Sequence, residues 1–249
     1  MLNWIIITEE DEFSEERIRI NGKRNFHIQE ILKKKVGDTI RLLVPGICKG
    51  LFQVQSINQD FVTVIPSFLE DFTKQSPLSL VHVYCALPRP QTGKKILHLA
   101  GLYGIGQLTF IFPHSKNKEY LTSPLYKGGE TTEIFDGMSQ SGNPHPPSLK
   151  YLKSMSEFYE VMDPTDTIVF DPKGEPFSKF SNMINCRNVA SNVSKFVFGP
   201  ESGFLADEIE IFQQKRIPIA KLGNVILRTE YAFHAFLHET NRILETDPS

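Results

Sequence analysis

The chain has 249 residues, 40% of them hydrophobic and 22% charged, with a net charge of −2. That is enough sequence for one large or two modest domains with a sizeable core, and the composition is that of an ordinary globular protein. No stretch approaches the roughly 18 unbroken apolar residues of a membrane span. The opening MLNWIIITEEDEF has neither a basic lead nor a small-residue cleavage site, so it reads as a first strand and not a signal peptide. Cys48, Cys85 and Cys186 lie far apart with no C-x-x-C pair, which argues against a disulfide framework or zinc site and points to a reducing cytoplasm.

Residues 1–72 carry β-branched or alternating runs of strand length: IIIT, RIRI, TIRLLV, FQVQSI and FVTVIP. Between them NFHIQEILKKK, with Phe26, Ile28, Ile31 and Leu32 as its apolar positions, predicts a short helix ending before Gly37. The whole reads as a small β-barrel-like module. Its charge is uneven. Residues 17–49 hold nine basic side chains (Arg17, Arg19, Lys23, Arg24, Lys33, Lys34, Lys35, Arg41, Lys49) against Glu30 and Asp38, after an acidic run from Glu9 to Glu16. Such a band either contacts phosphates or is a solvated face that keeps the module soluble. The polar TKQSPLS at 73–79 reads as a linker.

From residue 80 short apolar runs (VHVYCALP, LTFIFP, TIVFDP, KFVFGP, PIAKLG) alternate with helical patterns at 94–103, 124–141, 204–216 and 229–245. Strand–helix alternation predicts an α/β domain with a mainly parallel sheet, and ligands of such sheets bind beyond the carboxyl ends of the strands. Those ends fall at Asp171–Gly174, Gly199–Gly203 and Leu222–Arg228. In the first stretch of interest, KFVFGPESGFLADEIEIF, a strand runs into Gly199-Pro200-Glu201-Ser202-Gly203 and then a helix with Asp207 and Glu208 in its first turn, where the dipole favours acids. The middle residue is Glu201 and no Gly-Lys-Ser/Thr follows, which excludes a serine nucleophile elbow and a phosphate loop. In the second, KLGNVILRTEYAFHAFL, a loop leads through Arg228 and Glu230 into a helix. Taken alone, the first is either a tight turn or a ligand loop, and Arg228 and Glu230 are either a surface pair or face a ligand. His27, His98, His114 and His234 have no metal-ligand spacing, and no metal is called for.

Together GPESGF, ADEI and LGNVILRTEYA closely resemble the C-terminal signature of the ribosomal RNA small subunit methyltransferase E family, uracil-N3 methyltransferases of the SPOUT superfamily. Shorter matches extend along the chain: His27 with Ile31-Leu32-Lys33 and Gly37-Asp38, Ala86-Leu87-Pro88, Gly104-Ile105, and Gln140-Ser141. The resemblance implies a SPOUT-type trefoil-knotted, mainly parallel α/β sheet over 80–249, a PUA-like RNA-binding β-barrel over 1–72, and a cytoplasmic homodimer. The implied activity is S-adenosyl-L-methionine (SAM)-dependent methylation of N3 of a uridine in 16S rRNA of the small ribosomal subunit. It places SAM against Phe198, Gly199, Pro200, Glu201, Ser202, Gly203, Leu222, Gly223, Ile226, Leu227 and Arg228. Arg17, Arg19, Arg24, His27, Lys33 and Arg89 become candidates for RNA contact.

The family pattern is not kept everywhere. Ser202 stands for a glycine, Lys33 for an arginine and Arg89 for a lysine, while Leu99, Leu102 and Asn143 (with His145 nearby) replace charged residues. The cofactor side is thus better kept than the substrate side, which leaves two alternatives: a SPOUT methyltransferase with another RNA substrate, or a non-catalytic SAM- or RNA-binding homologue. The chemistry itself asks for orientation, a proton acceptor for N3–H and a cation for charge developing on the base carbonyls. Arg228 is the candidate cation, and Glu230 either accepts the proton or orients Arg228.

Overall fold

A computed structural model describes residues 4–71, 73, 75–112, 118–184 and 194–246; His114 and Cys186 lie outside them. Two six-stranded sheets dominate. The N-terminal sheet comprises β1 (Ile5–Ile6), β2 (Glu12–Phe13), β3 (Ile18–Asn21), β4 (Thr39–Val44), β5 (Cys48–Ile57) and β6 (Phe61–Leu69), in the order β1-β4-β5-β6-β3-β2. Every pairing is antiparallel except β1 with β4. It curls as a half-barrel around Ile18, Ile20, Ile28, Leu42, Phe52, Val54, Val62 and Val64, all buried. Its helical segment is shifted from the expected 25–35. Helix α1 (Gly22–Phe26) leads into a π-helical turn at His27–Ile31, and Lys33 turns away at φ +50°. The apolar positions misled: Phe26 and Ile31 are 61% and 55% exposed, and Ile28 alone is fully buried. Polar Asn25 sits inside instead, its amide donating to the Gln59 carbonyl and its oxygen accepting from Gln29.

The second sheet is wholly parallel, in the order β12-β10-β11-β7-β8-β9. Its strands are β7 (Val81–Ala86), β8 (Gln107–Ile111), β9 (Ser148–Leu152), β10 (Thr167–Pro176), β11 (Ser194–Phe198) and β12 (Ile219–Lys221). Side chains alternate between two cores, as the two-residue period of a strand requires. Val83, Cys85, Phe170, Phe196 and Phe198 face helices α2 (Pro90–Tyr103), α3 (Glu130–Ser141) and α6 (Thr229–Thr246). Tyr84, Ile111, Val169 and Val197 face α4 (Met155–Val161) and α5 (Ala206–Gln214). The first core is rich in phenylalanine, with the Phe196 and Phe236 rings 4.5 Å apart.

The expected helix at 124–141 is divided: a 3-10 turn at Leu125–Lys127 ends at Gly128, φ +109°, before α3 begins. Strand β9 and helix α4 were not anticipated. Any threading of the C-terminal segment past the β10–β11 connection turns on residues 185–193, outside those described. The two sheets are joined: the Trp4 amide donates to the Ser139 carbonyl, Ser139 Oγ donates back to the Trp4 carbonyl, and Lys49 Nζ reaches the Gly142 carbonyl at 3.2 Å. No helix among the described residues is long and apolar enough to cross a membrane.

Candidate active site

The carboxyl ends of the parallel strands β12, β11 and β7, with the irregular stretch of β10 after Phe170 beside them, open into one cavity of about 740 Å³. That volume lies within the range of small-molecule sites, and its place is the one parallel sheets reserve for ligands. Phe198 through Phe204 form one wall, Leu222, Gly223 and Val225 through Glu230 a second, Asp171 to Lys173 a third, and the start of α2 the floor. All of the expected cofactor residues, Phe198, Gly199, Pro200, Glu201, Ser202, Gly203, Leu222, Gly223, Ile226, Leu227 and Arg228, therefore meet at one place, and Glu230 lies among them.

Local chemistry explains the loops. Gly203 has φ +82°, open to glycine at no cost, and a Cβ on Gly199 would run into the Phe204 ring. The Glu208 carboxylate accepts the Leu205 amide at 2.8 Å, satisfying an otherwise orphan donor at the start of α5. In the second loop the amides of residues 223–227 make no hydrogen bond to protein among the described residues, and Gly223, Val225, Ile226 and Leu227 of this stretch line the cavity. Exposed donors of this kind are free for a ligand. Ile226, 85% exposed, adds an apolar side chain at the rim.

Two ion pairs tie the 199–203 loop and the first turn of α6 to the start of α2. Arg89 Nε lies 2.5 Å from Glu201 Oε2, and Thr92 Oγ1 donates to Glu201 Oε1 at 3.0 Å. Lys95 Nζ lies 3.0 Å from Glu230 Oε1 and 5.7 Å above the Tyr231 ring. Burial alone would raise the Glu230 carboxyl; its own backbone amide, the Lys95 hydrogen bond and charge, and the Arg228 charge outweigh that and hold it below its usual value. Arg228 is exposed and makes no ion pair among the described residues, while its carbonyl accepts the Tyr231 and Ala232 amides at 2.9 Å and so starts α6. Cys85, fully buried in the main core, is pushed up to about 12, first by burial and then by the Glu201 carboxylate.

The candidates for RNA contact divide. Arg89 lies in the cavity against Glu201, apart from the basic band. Arg19 pairs with Glu12 at 3.0 Å; Arg24 pairs with Glu10 at 2.9 Å and with Asp11, whose side chain is fully buried, at 2.8 Å. Arg17 and Lys33 are exposed, and His27 lines a groove between the N-terminal sheet and α3. Two of the positions where charge was replaced, Leu99 and Asn143, serve the fold. Leu99 rests on the main core, and Asn143 Nδ2 donates to the Gly101 and His145 carbonyls. No cluster of metal-binding side chains occurs among the described residues. Thr92 and Lys95 were missed from sequence. The signal was the carboxyl end of β7, a fourth strand end at the same edge as the three already singled out.

Residues 74–240 match the family profile described as RNA methyltransferase domain. The chain belongs to this family. Its fold is that of the ribosomal RNA small subunit methyltransferase E from Neisseria gonorrhoeae, crystallised with SAM: TM-score 0.77 at 14% identity, over 98% of each chain. A Legionella pneumophila protein crystallised with SAM superposes with TM-score 0.73 at 16% identity, over 93% of this chain and 94% of its own. No curated protein sequence matches the chain. The resemblance carried by residues 195–237 and the mixed fold it implied, a curled N-terminal sheet beside a parallel one, are both upheld.

Proposed function

We propose that this RNA methyltransferase uses SAM to methylate N3 of a uridine in the 16S rRNA of the small ribosomal subunit. The observation that carries the reading is the cavity itself. It joins two glycine-bearing loops, one with free amides, to an arginine that has no ion pair among the described residues and stands beside a buried carboxylate. The residues fit SAM. Apolar walls at Phe198, Leu222 and Leu227 suit an adenine ring, and the free amides of 223–227 suit its polar edge and the methionine part. Contacts made by main chain also explain why Ser202 can stand where the family has glycine. When bound, SAM supplies an electrophilic methyl group.

The chain's own residues do the rest. The loops at 199–203 and 222–228 orient the reactants and exclude water from the cavity floor. Arg228 offers its guanidinium to the carbonyl oxygens flanking N3, where negative charge grows as the N3 proton is lost. Glu230 has two roles open to it, taking that proton or fixing Arg228. The target base has to be splayed out of any stack to reach the cavity. Phosphates of the surrounding RNA meet exposed Arg17, Lys23, Lys33 and Lys35 in the turns and short helix of the N-terminal module, read here as a PUA-like module over 1–72 beside a methyltransferase domain over 80–249. The active form is read as a cytoplasmic homodimer, as in the family the chain resembles.

One observation favours a second reading, a methyltransferase acting on a different RNA: Arg19 and Arg24 are occupied by acidic neighbours, which removes two cations from the substrate side. Purified small subunits and bulk transfer RNA, each incubated with the enzyme and methyl-labelled SAM, separate the two. Label in 3-methyluridine of 16S rRNA supports the first. Label confined to transfer RNA supports the second, and SAM binding by calorimetry without transfer to either RNA supports a non-catalytic role.

A further inference from the structure

Lys95 is one of two adjacent lysines on a helix, and its placement assigns it a task. Arg89, Thr92 and Lys95 recur every third residue, and so line one face at the start of α2. The first two hold Glu201 of the 199–203 loop; the third holds Glu230. The 199–203 loop and the first turn of α6, which follows the 222–228 loop, are thus gripped from one helix face. The pair is unequal in exposure: the Glu230 side chain is 8% exposed and that of Lys95 55%. The carboxylate is sunk into the start of α6 and the cation reaches down to it from the cavity side, with Tyr231 under its ammonium as a second support. The charged groups acting on Glu230 are Lys95 from α2 and Arg228 from the preceding loop. Arg228 sits where α6 begins, its carbonyl bonded to the Tyr231 and Ala232 amides. Whatever fixes this first turn therefore fixes the backbone from which the guanidinium projects.

We propose that Lys95 is a positioning residue for methyl transfer: by tying Glu230 to α2 it anchors the first turn of α6, sets Arg228 at the cavity, and commits Glu230 to orientation and not to proton uptake. The inference rests on the methyltransferase reading of the cavity for its catalytic consequence, whereas the anchoring itself is measurable without substrate. A carboxylate engaged by an ammonium at 3.0 Å is a weak base, and its oxygen is already occupied.

The test uses the full chain with Lys95→Met, Lys95→Arg, Glu230→Gln and the Lys95→Met/Glu230→Gln double variant. In carbon-13 NMR, with Glu230→Gln as the assignment control, the Glu230 carboxyl titrates below the ordinary glutamate range in the parent and clearly higher in Lys95→Met, where only its backbone amide and the Arg228 charge still oppose burial. Lys95→Arg restores the low value. In RNA methylation assays Lys95→Met lowers kcat by about 10²-fold, the loss expected when a catalytic group is displaced by about an ångström, with the KM for SAM unchanged. The double variant is no slower than Glu230→Gln alone, since both remove the same anchor. An unchanged Glu230 titration in Lys95→Met overturns the proposal, and so does a double variant whose losses multiply. A Glu230 that responds as stated in a protein with no methyl transfer to any RNA leaves the anchor standing and overturns the methyltransferase reading and the catalytic consequence together. Should Lys95→Met fail to fold, Lys95→Gln, which keeps a donor without the charge, is read in the same way.

Discussion

The N-terminal sheet and the cavity of the parallel sheet both spend arginine and lysine on ion pairs, but over different distances. In the N-terminal sheet the partners are close in sequence: Arg19 with Glu12, Arg24 with Glu10 and Asp11. These pairs hold the module together, and Glu10, Asp11 and Glu12 of the acidic run are the partners of two arginines of the basic band, Arg19 and Arg24. At the cavity Arg89 meets Glu201 and Lys95 meets Glu230, across more than a hundred residues. Those pairs hold the 199–203 loop and the first turn of α6 against α2. The lesson is that a nearby acid in sequence makes a cation structural within its own module, and the absence of one leaves it for a distant element or for a phosphate.

The largest expected effect breaks the comparison at Arg228, a cavity cation with no ion pair of either type among the described residues. Arg228→Ala is expected to lower kcat about 10²–10³-fold, the usual cost of losing one donor to a developing oxyanion, while SAM affinity by calorimetry stays within a few-fold. Equal loss of both would make Arg228 a cofactor ligand. Next comes the local type of pair. Arg24→Gln leaves Asp11 buried without its cation and should lower stability by about 1–3 kcal/mol in urea unfolding, with RNA affinity unchanged at constant folded fraction. A normal unfolding midpoint combined with weaker RNA binding would return Arg24 to the substrate side. Lys23→Ala and Lys35→Ala should do the opposite. Stability should hold within about 0.5 kcal/mol, and for each RNA phosphate left without its cation the slope of log affinity against log salt should fall by about 0.7.

The smallest effect is a pH dependence at the distant type of pair. Glu230 is held below its usual value, so its contribution to stability is fully present above about pH 4.3, the unfolded value, and is lost as pH falls through the lower folded value. Between about pH 5 and pH 3 the parent should therefore lose more stability than Glu230→Gln. Parallel acid unfolding curves for the two would show that the pair contributes nothing to the fold.

Much of this was legible in the sequence because it was written in contiguous residues. The turn at Gly199–Gly203, with acids just inside α5, and the Leu222–Arg228 loop before α6 mark strand–loop–helix junctions without reference to distant parts. The parallel sheet followed from the alternation of apolar runs with helical patterns. What escaped was set by distance. Strand β9, SLKYL, is an edge strand whose residues are half-buried or exposed, so it carries no apolar run. Helix α1 was displaced because a buried asparagine, satisfied by Gln59 from across the module, replaced the apolar contact its sequence advertised. Lys95 looked like a solvated lysine because its acid lies 135 residues away.

The most direct test of the central claim is mass spectrometry of the 16S rRNA nucleosides from cells with and without this protein. Loss of 3-methyluridine in the cells that lack it, restored by the parent chain and not by Arg228→Ala, is the expected result. An unchanged 3-methyluridine content in cells without the protein would contradict the claim outright.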